Sequence, residues 1–388
     1  MDDYREILNI ILDKVAKEHQ YEDGEISVKS ISSGGANYTS YLHLATVSAP
    51  GKEDLKLFVK VAAMGEKMRS FAPMRIFEIE SFFYNSLLKT YQELEERQMV
   101  PAEHRLVTPK FYASNDECYK EALVLEDMTS KGFQAFDRFK SIDKKYAFKS
   151  VENLAKLHAL SIAWSIDDPE EFQKTAGLKS ENNIEIILEF LKNVTTSALE
   201  VTKPDNKDRM SKFLEKMTVP NEFANFYNPI RCSVLAHGDY RPSNLLHRVN
   251  DDGEVDVISV DYQTLQMSSP IIDLMYFIYT GSDKNFRKHH LKDTIEHYYT
   301  ELRAALERLN LTPDDIYSRD DFDYELQKVM PFGLLISVFC LLIITVQEED
   351  APKVNKDIEI NDFVVSPNDL YRERLNDIID DYIDMGLL

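Results

Sequence analysis

The spacing of apolar residues divides the chain into two unlike regions. In the first third, alternating apolar and polar positions predict three strands over 24–62 and two more over 107–127, beside helices over 1–20 and 70–98. From about residue 142 onward, apolar positions recur with helical spacing, and one short β-hairpin interrupts them. Six helices are predicted there, over 143–164, 183–199, 205–217, 284–309, 322–346 and 367–385. The pattern indicates an α+β chain with a small antiparallel β lobe and a large, mainly helical lobe.

The uncharged run from Met330 to Val346 approaches the length of a membrane span. Pro331 and Gly333 stand near its start, acidic residues flank it on both sides, and no positively charged flank accompanies it. A helix that is apolar on all sides also suits the centre of a large helical lobe. We therefore interpret the run as a core helix and expect no membrane span.

Composition narrows the class of protein further. The chain has 388 residues, of which 44% are hydrophobic, enough for a sizeable core. Its 45 basic and 67 acidic residues give a net charge of −22, which disfavours nucleic acid as a partner. Cys118, Cys232 and Cys340 lie far apart and lack the spacing of a zinc site. Together with the absence of a signal-cleavage pattern, this predicts a cytoplasmic protein.

Candidate chemistry is concentrated after an apolar run, Val234–Ala236. His237, Gly238 and Asp239 follow it directly, and Asn244 comes five positions after Asp239. A second apolar run ends at Asp261. Any one of these residues alone is more often a local turn former. Phosphoryl transfer, however, needs a carboxylate that orients the acceptor hydroxyl and oxygen ligands for Mg²⁺. The spacing predicts a phosphotransferase with Asp239 and Asn244 as catalytic residues and Asn244 and Asp261 as metal ligands.

Such a site needs phosphate-binding parts upstream. Residues 32–40 form a glycine-containing turn between two predicted strands, where the backbone at Gly35 can approach phosphate, although an ordinary hairpin turn fits equally. Lys60 lies in an apolar strand and requires a carboxylate partner, because a buried unpaired ammonium is costly. Glu80, in a segment of helical period, is the preferred partner, and Glu78 is the competing choice.

A buried strand ending at Glu126 is followed by Asp127 and Met128. In a kinase, a strand in this position leads into the hinge between the lobes, where adenine pairs with the backbone. The main chain at Met128 is therefore the predicted adenine contact.

These motifs together resemble the ecdysteroid kinase-like family, small-molecule kinases related to choline kinases and aminoglycoside phosphotransferases. The resemblance spans roughly residues 25–385. The segments that carry it are GGANYTS, LFVKV, Phe77–Tyr84, LVLEDM, Leu154–Ala159, HGDYRPSN, VDYQ and Ser269–Phe277. It implies a two-lobed protein-kinase-like fold, ATP and Mg²⁺ as cofactors, and the hydroxyl group of a small molecule, such as an ecdysteroid, as the acceptor.

Carried over by residue, the resemblance makes Lys60 the ligand of the nucleotide phosphates and Asp273 a brace for the catalytic loop. It places a nucleotide-binding lobe at 1–128 and a helical lobe, with the catalytic loop and substrate pocket, at 129–388. The stretch Arg241–Ser243 departs from the common family pattern, and its proline stiffens the loop. Two alternatives stay open: a choline- or aminoglycoside-type kinase, and a catalytically retired ligand-binding protein. The sequence identifies no protein partner.

Overall fold

A computed structural model describes most of the chain, namely residues 3–21, 23–35, 37–71, 75–176, 184–353, 355 and 357–388. Met1 and Asp2 of the predicted first helix, and Ala36 of the glycine turn, lie outside the described residues. The strands are β1 Glu25–Ile31, β2 Ser40–Ser48, β3 Leu55–Ala62, β4 Phe111–Asn115, β5 Ala122–Glu126, β6 Val234–Ala236, β7 Leu245–Val249, β8 Val255–Ser259 and β9 Gln266–Ser268.

The helices follow the predicted order closely. They are α1 Asp3–Glu18, α2 Glu66–Phe71, α3 Ile76–Phe82, α4 Leu88–Arg97, α5 Lys144–Asp167, α6 Pro169–Ala176, α7 Ile184–Val201, α8 Lys207–Met217, α9 Pro220–Asn225, α10 Pro270–Gly281, α11 Lys284–Arg308, α12 Pro313–Ile316, α13 Arg319–Ile344 and α14 Asp369–Asp384. A π-helical turn, Phe83–Leu87, joins α3 to α4. Single 3₁₀ turns span Ala102–His104, Met128–Lys131, Pro204–Asn206, Pro242–Asn244 and Ile360–Phe363.

The first five strands form one antiparallel sheet in the order β1-β2-β3-β5-β4. Side chains alternate across a strand, so neighbours along β3 face opposite sides of this sheet. Val59 and Val61 pack against α1 in one apolar cluster. Lys60 lies between them and therefore projects from the opposite face. The alternation in β3 thus places Lys60 on the side of the sheet away from α1.

The predicted helix over 70–98 is confirmed from residue 76 to residue 97, but it starts later than predicted. Helix α2 ends at Phe71 and α3 begins at Ile76, and residues 72–74 lie outside the described part. Glu80 therefore lies near the start of a helical stretch that runs from Ile76 through the π-helical turn to Arg97.

The helical part contains the largest apolar core. The six helices predicted in this part are confirmed, each end lying within three residues of its expected position. Helix α10, absent from the predicted set, is buried along its whole length and packs against α13. Helix α13 has the length and apolar composition of a membrane span, yet 67% of its apolar window is buried within the protein. That burial suits a core helix.

An antiparallel sheet lobe followed by a large helical part confirms the predicted two-lobed α+β fold. The apolar core itself is continuous, since one cluster includes residues of α4 and β5 together with residues of α5, α10 and α13. A division between residues 128 and 129 accordingly stays a prediction.

Candidate active site

The loop after β6 is held by the start of α10. Ser269 caps α10 by accepting the N–H of Ile271, and Asp273 follows in the first turn. The Asp273 carboxylate accepts the main-chain N–H of His237 at 2.7 Å and that of Gly238 at 2.9 Å. Its third partner is His158 Nε2 at 3.1 Å, and the carboxylate is fully buried. The predicted bracing role of Asp273 is confirmed by these bonds.

Gly238 occupies a position that no other residue fits without strain. Its φ is +79°, in the left-handed region. A Cβ added there would lie 2.3 Å from the carbonyl oxygen of Thr264. The glycine therefore allows the loop to pass close to the main chain at Thr264. This close passage sets the position of the next residue, Asp239.

Asp239, Arg241 and Asn244 form a compact hydrogen-bonded group. The amide nitrogen of Asn244 donates to the carboxylate of Asp239 at 2.9 Å and to its main-chain oxygen at 3.0 Å. Arg241 Nε lies 3.1 Å from Asp239 Oδ1. The Asn244 amide nitrogen is thus committed to Asp239. All three residues lie around the 3₁₀ turn Pro242–Asn244, which Pro242 starts.

A second group joins the sheet lobe to the end of β8. Lys60 Nζ lies 2.9 Å from both carboxylate oxygens of Glu80 and 2.5 Å from Asp261 Oδ1. Asp261 has a φ of +70°, a strained conformation for a non-glycine residue and one often found at functional sites. The competing residue, Glu78, pairs instead with Arg75 on the exposed side of α3. The structure thus brings Lys60, Glu80 and Asp261 together.

The charges of this second group depend on one another. Burial opposes ionisation of Asp261, but Lys60 and then Arg241 hold the pKa of this carboxyl below its usual value. Burial likewise opposes the charge of Lys60, yet Asp261 and Glu80 raise its pKa above the usual value. Burial, reinforced by Asp261, raises the pKa of Glu80 to about 7 despite the nearby Lys60. Glu80 is therefore the member of the group that takes up a proton near neutral pH.

Stacked aromatic rings connect the helix of Glu80 to the catalytic loop. Tyr262, next to Asp261, stacks on Phe83 with ring centroids 3.5 Å apart. The ring of His237 lies 4.8 Å from Tyr262 on another side, and its Nε2 is 3.0 Å from the carbonyl of Val260. A shift of the helical segment that carries Glu80 and Phe83 would therefore disturb Val260 and Tyr262, the neighbours of Asp261.

Gly35 lies in the turn between β1 and β2 with a φ of +80°. Its added Cβ would lie 2.9 Å from the Cβ of Ala351 and 3.3 Å from Arg138 Nη2. The sequence predicts a glycine here for close approach to phosphate. The structure shows that glycine is also required by the close approach of residues from the helical part, for which the sequence around Arg138 and Ala351 offers no recognisable signal.

Met128 begins the 3₁₀ turn that follows β5, and its side chain packs with Phe133 and Ile258. Its carbonyl accepts the N–H of Phe133 at 3.1 Å. Met128 and Gly35 thus lie on connections at the sheet, while the other five predicted residues form the two hydrogen-bonded groups described above.

The donors present suit Mg²⁺. Asp261 offers a carboxylate and Asn244 an amide oxygen, both hard oxygen ligands of the kind that this ion prefers. Lys60 holds the pKa of Asp261 below its usual value, which favours the ionised form that a metal ligand needs. The predicted ligand pair therefore fits the ion, and Mg²⁺ would supply neutralising charge for nucleotide phosphates.

The model of the ecdysteroid kinase-like family matches residues 34–311, well over half of the chain. The chain belongs to this family. The matched region contains every predicted site residue, from Gly35 to Asp261. Family membership thus confirms the resemblance identified in the sequence and assigns the chain to a kinase-like group. No curated protein matches the chain.

Solved structures that match the chain include aminoglycoside phosphotransferases. The GDP complex of aminoglycoside 2′-phosphotransferase-IIIa is 14% identical over 97% of this chain and 99% of its own, with a TM-score of 0.45. The GDP and kanamycin complex of APH(2″)-IIia is 15% identical over 85% of this chain and 90% of its own, with a TM-score of 0.46. APH(3″)-Id from Streptomyces rimosus, with ADP and streptomycin, is 12% identical over 86% and 99%, with a TM-score of 0.37. The family assignment rests on the sequence match alone.

Proposed function

We propose that this protein is an ATP- and Mg²⁺-dependent small-molecule kinase that phosphorylates a hydroxyl group of an ecdysteroid or a similar neutral, polyhydroxylated lipid. The observation that carries the proposal is that the structure assembles two hydrogen-bonded groups of the predicted site residues. One contains Lys60, Glu80 and Asp261, and the other contains Asp239 and Asn244. A carboxylate for the acceptor, a cation for phosphate and oxygen donors for a metal are thereby all retained.

Each side chain has a distinct task in this proposal. Asp239, oriented by Asn244 and Arg241, accepts a hydrogen bond from the acceptor hydroxyl and then its proton. Lys60 remains positively charged and contacts the nucleotide phosphates, while Glu80 fixes its position. Asp261 and the amide oxygen of Asn244 hold the metal. The retention of all these groups argues against a catalytically retired binding protein.

The choice of acceptor is supported by family membership. The net charge of −22 favours cationic acceptors, such as choline or an aminoglycoside, but bulk charge affects encounter more than specificity. The apolar residues 271–279 of α10 are buried in the core and so give no guide to the acceptor. A cytoplasmic location forms part of the proposal, and three free cysteines support a reducing compartment.

Transfer of phosphate can be followed directly. The protein is incubated with ATP, Mg²⁺ and a mixed library of hydroxyl compounds that includes ecdysteroids, choline and kanamycin, and new phosphate esters are detected by ³¹P NMR and mass spectrometry. We expect the highest kcat/KM with an ecdysteroid and, in Asp239→Asn, turnover lowered by roughly 10²-fold or more with nucleotide binding retained. Higher kcat/KM for choline or kanamycin would refute the acceptor class. ATP binding without transfer to any compound would favour the retired-kinase alternative.

A further inference from the structure

The connection between α13 and α14, described over residues 345–353, 355 and 357–368, extends from the helical part to the glycine turn of the sheet lobe. Ser32 Oγ donates to Glu348 Oε1 at 2.7 Å. Gly35 and Ala351 lie three residues after Ser32 and Glu348 in their respective segments. They approach so closely that a Cβ added to the glycine would lie 2.9 Å from the alanine Cβ. The turn thus contacts a segment that follows it by more than 300 residues.

Arg138 strengthens this contact from a third part of the chain. Its Nη2 donates to the carbonyl of Gly34 at 2.6 Å, and its Nη1 donates to the carbonyl of Ile344, the last residue of α13. The side chain is buried. Because a buried guanidinium that loses its acceptors carries a large cost, the three segments tend to stay together.

An apolar cluster extends the same contact to the helix that carries Glu80. The ring of Tyr38, in the glycine turn, meets that of Phe363 edge to face at 5.1 Å. The cluster consists of Tyr38, Met64, Met68, Ile76 and Phe77 on the sheet side and Val346, Ala351, Ile358 and Phe363 in the connection. Ile76 and Phe77 are the first two residues of α3, and Glu80 follows one turn later.

We propose that the α13–α14 connection is a positioning element for the nucleotide site. It fixes the glycine turn through Glu348, Ala351 and Phe363, and it fixes the start of α3, so that Glu80 stays on Lys60. Its residues act through these two elements and need not touch the nucleotide. The inference rests on the proposed kinase function, and it assigns to a distant segment the alignment of the phosphate-binding parts.

Phe363→Ala tests this role because it removes the ring that contacts Tyr38. We expect KM for ATP, and the dissociation constant of a fluorescent ATP analogue, to rise about tenfold, with kcat changed less than threefold, since Asp239 and its partners are untouched. Amide hydrogen exchange should speed up in residues 32–35 and 76–82. Phe363→Leu should restore most of the affinity.

Phe172→Ala is the matched control. Phe172 is also a buried phenylalanine, but it packs on Trp164 in the helical part. Phe172→Ala should lower the unfolding temperature at least as much as Phe363→Ala does, but it should change the nucleotide affinity less than twofold. Equal affinities in the two variants, or a loss in Phe363→Ala that Phe363→Leu does not restore, would overturn the proposal.

Glu348→Gln provides a second test should Phe363→Ala fail to fold, because Glu348 is exposed and its replacement weakens the bond to Ser32 and removes a negative charge that acts on Arg138, both within the same contact. A rise in the ATP dissociation constant of about twofold to threefold is expected, and no change would count against the proposal. Nucleotide affinity and hydrogen exchange are measured without any acceptor. Failure of phosphate transfer would therefore refute the proposed function alone.

Discussion

Gly238→Ala tests whether the backbone of the catalytic loop determines the position of Asp239. The φ of Gly238 is +79°, and an alanine Cβ there would lie 2.3 Å from Thr264 O, where ordinary contacts are 3.4–4 Å. A left-handed alanine costs about 1–2 kcal/mol relative to glycine. Relief of the contact requires the loop or the Thr264 carbonyl to move, and overpacking of this kind adds roughly 1–3 kcal/mol.

Gly51→Ala separates these two effects. Gly51 has a similar φ of +76°, yet an added Cβ there would meet nothing within 4 Å. Both variants are therefore destabilised by the left-handed backbone, and only Gly238→Ala is destabilised by the close contact as well. Because a displacement of about 1 Å at a reacting group can lower turnover by roughly 10²-fold, we expect a loss of that size in Gly238→Ala and unchanged turnover in Gly51→Ala.

Urea denaturation and phosphate-transfer kinetics measure the two quantities separately. The free energy of unfolding should fall by about 1–2 kcal/mol in Gly51→Ala and by at least 1 kcal/mol more in Gly238→Ala. Equal losses of stability in the two variants, together with a turnover of Gly238→Ala close to that of the wild type, would show that the loop accommodates a side chain and that Gly238 does not control the site.

Three further outcomes follow from the site. Asp261→Ala should abolish Mg²⁺-dependent ATP binding in calorimetry, and unchanged affinity in a folded variant would remove Asp261 from the metal site. Asp273→Asn replaces an acceptor of two main-chain N–H groups with a group that is partly a donor; we expect urea denaturation to show a loss of roughly 2–3 kcal/mol, and no loss would argue against the brace. The kcat/KM for ATP should fall as pH drops through about 7, because Glu80 has a pKa of about 7 and its protonation weakens the pair with Lys60. Glu80→Gln should lack this limb, and its persistence would assign the limb to another group.

Linkage gives the opposite sign for stability. The pKa of Glu80 in the folded protein, about 7, is above its ordinary value, so the folded state binds the proton more tightly. The contribution of Glu80 to stability is therefore greatest below its ordinary pKa and declines as pH rises through 7. Unfolding measured at pH 6 and pH 8 in the wild type and in Glu80→Gln separates this contribution from those of other groups, and a pH dependence equal in both proteins would contradict it.

Local sequence determined the parts of the molecule that depend on short-range physics. Alternation and helical period predict the five strands and the six long helices, because each pattern must bury one face of its own element. Asp239 and Asn244 were predictable as a pair from their five-residue spacing, and in the structure the turn that Pro242 starts brings them within hydrogen-bond distance.

Tertiary packing decided the contacts between distant segments. Glu78 and Glu80 are both plausible partners of Lys60, and only the way α3 packs on the sheet makes Glu80 the buried one. The requirement for glycine at position 35 depends on Ala351, more than 300 residues away. Such contacts leave no periodic or motif signal in the sequence. The two partners are far apart along the chain, and only the folded core brings them together.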